Sequence, residues 1–166
     1  GLQDLAADRG WATLHITAGD HTLPGLFYEA GEEAYGKPGL GDIAIYNALG
    51  IQANGIGNHE MDGGIDEFID MVKASNYVHL SANLNFTSVK DSSGNAAPYV
   101  SYGAEDAAMS VEELTGKIAP SAYIELNGQK IGLIGRSPSE MFSLVADGNL
   151  EGLDYVGGTT GTGTAK

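Results

Sequence analysis

The chain has 166 residues with 22 Asp and Glu against 8 Lys and Arg, a formal net charge of -14; the length suits one domain with a real core, and the acidity argues against nucleic-acid polymers or anionic membranes as partners. There is no cysteine, which excludes disulfides and thiolate metal sites and leaves carboxylate, amide and imidazole as ligands. No apolar run approaches the roughly 20 residues that a membrane span needs, and neither an initiator Met nor a basic-apolar signal segment opens the chain, so its start is read as processed, truncated or partial.

Leu2, Leu5 and Ala6 fall at helical spacing and Arg9-Gly10 reads as the end of that helix. An alternating strand follows over 12–17 and ends in Gly19-Asp20, with His15 inside it as a packing residue. The text from His21 to Gly41, punctuated by Pro24 and Pro38, reads as a loop. Within it Gly31 to Lys37 has the glycine-lysine spacing of a phosphate-binding loop, but Pro38 stands where a hydroxyl would hold magnesium and no strand precedes it, so that reading is refused. A helix over 42–49 stops at Gly50, and a strand over 51–56 leads into Gly55-Ile56-Gly57-Asn58-His59-Glu60-Met61-Asp62-Gly63-Gly64.

Ile65, Phe68, Ile69 and Val72 then give a helix over 64–74 one apolar face. A strand over 77–84 carries His79, with nothing chemical near it in sequence, and Asn85-Phe86-Thr87 is read as an ordinary strand end despite its glycosylation spelling. Ser110-Val111-Glu112-Glu113 has capping-box spacing and predicts a short helix that Gly116 ends. Strands over 118–126 and 130–135 flank Asn127-Gly128, a strong hairpin signal. After Ser137 the pattern fades, and 157–166, glycines among threonines, reads as a flexible tail or linker behind a domain over 1–156.

Two of these stretches carry chemistry. The decapeptide from Gly55 packs an amide, an imidazole and two carboxylates into a strand-to-helix junction, where ligands bind in parallel α/β sheets and glycines let the backbone come close. A bland alternative makes it a glycine-rich turn, with Asp62 capping the helix and His59 solvated. Gly19-Asp20 shifts the balance, because it is a second strand end that delivers a hard ligand, and two such ends are what a shared metal site needs.

The order Gly19-Asp20, then Gly57-Asn58-His59-Glu60 with Asp62 behind it, resembles the second and third signature blocks of the calcineurin-like metallophosphoesterases. The resemblance is nearest to the 5'-nucleotidase and secreted bacterial phosphatase branch. It extends from about Ala12 to about Gly135 through Ala18–Gly25, Ile45–Gly50, Leu80–Leu84 and Asn127–Gly135. It implies an α/β fold, part of a layered sandwich of mixed β-sheets flanked by helices, and two divalent metal ions (Mn, Zn, Mg, Ca or Fe) about 4 Å apart that act on a phosphate ester or nucleotide.

On this reading Asp20 is the bridging carboxylate and Asn58 an amide ligand. His59 is the catalytic imidazole, Asp62 orients it, and Glu60 lies behind the ligands or in solvent. His21, next to Asp20, matches no standard ligand position. The family's Asp-x-His block, a further lone histidine and its Gly-His-x-His block have no counterpart here. The expectation is therefore a fragment of a phosphoesterase, extracellular or periplasmic, inactive alone and partnered by the remaining segments of its parent chain. A structural domain that has kept the fold and lost the metals is the alternative. Two geometric expectations follow: 12–17 and 51–56 share a sheet, and Asp20 converges with Asn58.

Overall fold

A computed structural model describes residues 1–103 and 105–157, so the tail expected over 157–166 lies outside the described residues from 158 onward. In chain order the elements are α1 (Leu2–Asp8), β1 (Ile16–Thr17), α2 (Leu26–Tyr35), α3 (Leu40–Ala48), β2 (Ala53–Gly55), a 3-10 turn (His59–Met61) and α4 (Ile65–Ala74). These are followed by β3 (Val78–Leu80), β4 (Leu84–Asn85), β5 (Ile118–Ala119), β6 (Ser121–Leu126), β7 (Gln129–Ile134), α5 (Met141–Leu144) and β8 (Asp154–Tyr155).

One four-stranded sheet runs β1-β2-β3-β5, parallel throughout, with Ile16 opposite Ala53, Ala53 opposite Val78, and His79 opposite Ile118. The segments 12–17 and 51–56 thus share a sheet as neighbours. Side chains alternate across a strand, and the core divides accordingly. Ala53, Val78, Leu80 and Ala119 pack with Ala122 and Ile124 of the β6–β7 hairpin. The other cluster holds Ile65, Phe68, Ile69 and Val72 of α4, with Ile43 of α3 and Tyr77. Each such fully buried side chain contributes about 1.5–3 kcal/mol, so α4 is fixed by its apolar face rather than by propensity. The result is an α/β architecture with helices on one face of the parallel sheet and an antiparallel hairpin on the other. Among the described residues, no helix is long and apolar enough to cross a membrane.

The structure corrects four expectations, the first being the strand over 77–84, which is β3 of the parallel sheet followed by β4 paired with β8. The loop expected from His21 to Gly41 contains α2, a run of good helix formers closed by Gly36 in the left-handed conformation. Its glycine is a packing device: a Cβ on Gly31 would lie 3.3 Å from the Gly41 nitrogen, and one on Gly41 would lie 3.1 Å from the Gly31 Cα. The strand expected over 118–126 is two strands in two sheets, because Pro120 has no N–H to donate and lies where the chain leaves the parallel sheet for the hairpin. The helix expected after Ser110 is a series of turns. The capping box itself is made, with Ser110 N–H donating to Glu113 Oε2 at 2.9 Å and Glu113 N–H to Ser110 Oγ at 3.3 Å, and Gly116 at φ 68 ends the segment. The hairpin turn is as expected, Asn127 and Gly128 both having positive φ, 51 and 76.

Candidate functional site

Because β1 and β2 are parallel neighbours, their carboxyl ends lie side by side. Past those ends the two loops interlock through glycine. A Cβ on Gly19 (φ 89) would collide with the Gly57 backbone, and one on Gly57 would collide with the Asp20 carboxylate. Asp20 has φ 57, a conformation that Asp tolerates better than most residues. Its Oδ1 accepts the His59 N–H at 3.1 Å, which brings the carboxylate to the peptide that follows Asn58. Asn58 occupies the N-cap of the 3-10 turn without capping it, so its amide oxygen is not spent on the turn.

The 3-10 turn puts His59 and Asp62 on one side of the backbone. His59 Nδ1–H donates to Asp62 Oδ2 at 2.6 Å, and the side chains are 39% and 23% exposed. That hydrogen bond holds the His59 pKa above the usual histidine value; the charges of Asp62, Asp20 and Glu60 add to it and outweigh partial burial. The Nδ1 edge is thereby occupied, and Nε2 is the edge left for a reacting group. The far end of the turn is held from a distance: the Asn149 amide donates to Met61 O at 3.2 Å and to Asp62 O at 2.8 Å.

Of the two expectations for Glu60, the structure bears out the place behind the ligands and not the one in solvent. Its carboxylate, 1% exposed, accepts Gly57 N–H at 2.7 Å and His21 N–H at 3.1 Å, and lies 3.0 Å from His21 Nδ1. The last is an ion-pair distance rather than an aligned hydrogen bond. Burial alone would raise the Glu60 pKa, but the His21 side chain and backbone N–H groups outweigh it and hold the carboxyl below the usual range. Glu60 therefore staples the Asp20 loop to the Asn58 loop. The Thr22 hydroxyl adds a bond to His59 O at 3.4 Å. The local signal for Glu60 is its position three residues after Gly57 in a tight turn; the partner across the fold leaves none.

His79 belongs to a polar ladder across the sheet. The Thr17 hydroxyl donates to Asn54 Oδ1, and Asn54 Nδ2 donates to His79 Nδ1 at 3.3 Å. The Ser75 hydroxyl spends its one proton on Met71 O at 2.8 Å, so the His79 nitrogen 2.9 Å from it, Nε2, carries the proton. Burial pushes the His79 pKa down to about 3. His15 is half-buried between Gln3 and the Leu49 carbonyl, 3.0 and 3.3 Å from its Nδ1, away from any ligand role.

No family model matches the chain. It is 27% identical over 150 residues to a 5'-nucleotidase of Diplobatis ommata, covering 89% of this chain and 21% of that protein. Among solved structures it superposes on the 5'-nucleotidase precursor of Thermus thermophilus with TM-score 0.61 and 22% identity, over 93% of this chain and 24% of the other. A calcineurin-like phosphoesterase of Bacillus subtilis gives TM-score 0.60 and 22% identity, over 93% and 43%. The chain has the calcineurin-like phosphoesterase fold. Its sequence is similar to 5'-nucleotidases over most of its length, and it spans about a fifth of the length of the curated relative from Diplobatis ommata, 21%.

Whether the site can hold divalent ions depends on its donors. Asp20 and Asn58 offer oxygens suited to a hard divalent ion. Among the described residues no group of three or more His, Asp or Glu is placed to hold a metal. Two donors on adjoining loops do not by themselves fit a two-ion cluster.

Proposed function

We propose that this chain is the part of a metal-dependent phosphoric ester hydrolase, 5'-nucleotidase-like in acting on phosphomonoesters or phosphodiesters, that carries the carboxylate Asp20, the amide Asn58 and the acid pair His59–Asp62. The observation that supports it is the 2.6 Å His59–Asp62 bond beside an Asp20 carboxylate 3.1 Å from the His59 N–H, at the carboxyl ends of two parallel strands. Divalent ions, if bound, would neutralise the phosphate; they would need donors beyond Asp20 and Asn58, which the reading assigns to other segments of a parent chain. As the imidazolium, His59 gives its Nε2 proton to the leaving oxygen and keeps the Nδ1 proton on Asp62, whose carboxylate favours the charged ring. Extracellular or periplasmic placement is part of the same proposal.

The test is an assay of an aryl phosphate with excess manganese or zinc, run on the 166-residue chain, on a longer parent and on the parent's His59→Ala variant. Expected are negligible turnover by the chain alone and chelator-sensitive turnover by the parent. Parent-rate turnover by the chain alone would refute the shared ligand set. A parent that holds every ligand block and stays inactive would favour a structural domain.

A further inference from the structure

The 3-10 turn that presents His59 is one turn long and is followed by Gly63-Gly64. For Asp62 to reach an imidazole three residues back, its backbone must stay helical, as it does at φ -63 and ψ -34. Two glycines do little to hold it there, since glycine is the residue with most conformational freedom to lose. The last carbonyls of a helical turn also lack intrahelical donors. Gly64 N–H reaches Met61 O at 3.0 Å, and among the described residues no backbone donor reaches Asp62 O.

A side chain 87 positions away closes this gap. Asn149 lies in the segment after α5, where its own N–H bonds Ala146 O at 3.1 Å and sets a turn. A carboxamide nitrogen has two protons, and here both are used, on Met61 O at 3.2 Å and Asp62 O at 2.8 Å. The amide thus spans two consecutive peptides at the point where the turn gives way to glycine.

We propose that Asn149 is a positioning residue: by clamping the Met61 and Asp62 carbonyls it holds the Asp62 carboxylate in register with His59 Nδ1. The inference rests on the reading of His59–Asp62 as the acid pair, but its first readout needs neither metal nor turnover. Nitrogen-detected NMR of the 166-residue chain, at a pH where His59 is neutral, reports which ring nitrogen carries the proton. The wild type should show the Nδ1–H tautomer that Asp62 selects. Asn149→Ala, and Asn149→Asp, which keeps the shape but removes both donors, should shift His59 toward the Nε2–H form. Asn47→Ala is the control, because it deletes a comparable amide link, Asn47 Nδ2 to Ala74 O at 3.0 Å, away from the turn. It should lower the melting temperature and leave the His59 tautomer alone. In the parent, Asn149→Ala should lower kcat by about tenfold to a hundredfold with KM little changed, as expected for a misplaced group.

If both Asn149 variants keep the wild-type His59 spectrum, or if Asn47→Ala shifts it equally, the proposal is overturned. If Asp62→Asn itself leaves the spectrum unchanged, the acid pair fails and takes this inference with it. An inactive parent whose Asn149 variants still shift the tautomer removes the enzymatic reading and leaves the clamp standing.

Discussion

His59 and His79 are two imidazoles served by the same sheet, and their surroundings divide them. His79 is buried between neutral partners, Asn54 and Ser75, each matched to one ring nitrogen, and its pKa is pushed down to about 3. His59 stands half-open at a strand end with a carboxylate on one nitrogen and, among the described residues, no partner on the other, and its pKa is raised. Both are well ordered by hydrogen bonds, so order does not distinguish a reacting group from a structural one. What distinguishes them is a charged partner together with a free edge. A ring enclosed by two neutral partners can only hold the fold together.

That contrast breaks most visibly in catalysis. In an active parent, His59→Ala should cost about a hundred- to ten-thousand-fold in kcat while leaving the denaturation midpoint near that of the wild type. His79→Ala should keep most of the turnover per folded molecule. Equal losses from the two variants would erase the distinction.

Stability should respond in the opposite sense. The largest loss is expected at Glu60→Ala, about 3–5 kcal/mol by urea denaturation, because it strips a buried acceptor from two backbone N–H groups and the nearby carboxylate from the His21 imidazole. His79→Ala should cost about 2–4 kcal/mol through a cavity and an orphaned Asn54 amide. A loss below about 0.5 kcal/mol at either site, the scale of surface substitutions, would mean that the network carries little.

The pH dependence sharpens the comparison further. His79 titrates near the ordinary histidine value of 6.5 when unfolded and at about 3 when folded, so below 6.5 the unfolded chain binds a proton that the native chain refuses. Stability should therefore fall as pH drops from about 6.5 toward 3, by about 1 kcal/mol or a little more per pH unit. His79→Gln should flatten that slope. The smallest expected effect belongs to the other histidine. On the proposed reading its proton must be present to be donated, so turnover of an active parent should fall as pH rises through its raised pKa. Asp62→Asn removes the main cause of the rise and should move the alkaline limb of kcat to lower pH. An unmoved limb would mean that another group sets it.

Much of this was readable from local text. Gly19-Asp20 and the decapeptide from Gly55 announce strand ends because glycine placement and apolar alternation are properties of neighbouring residues. The apolar stripe of α4 and the Asn127-Gly128 turn are readable for the same reason. Partners brought in by the fold are not readable this way. Gly31 looks like loop punctuation until Gly41 of the next helix is set against it, and Pro120 looks like a blemish in one strand until two sheets are seen to meet there. Glu60 gives no sign of His21. Asn149 sits in a segment without periodicity, and only three-dimensional proximity shows its bond to Asp62.

The backbone of Asp20 has a consequence for genetics. An alanine scan treats each truncation as the removal of one side chain, but at φ 57 an alanine also meets a conformational penalty of about 1–2 kcal/mol that Asp and Asn largely escape. An Asp20→Ala phenotype would therefore mix a lost carboxylate with a displaced loop, and the displacement would reach the His59 N–H that the carboxylate now accepts. Asp20→Asn keeps the left-handed turn and one acceptor oxygen while removing the negative charge. It is the allele that tests the proposed ligand role of Asp20 without moving the loop.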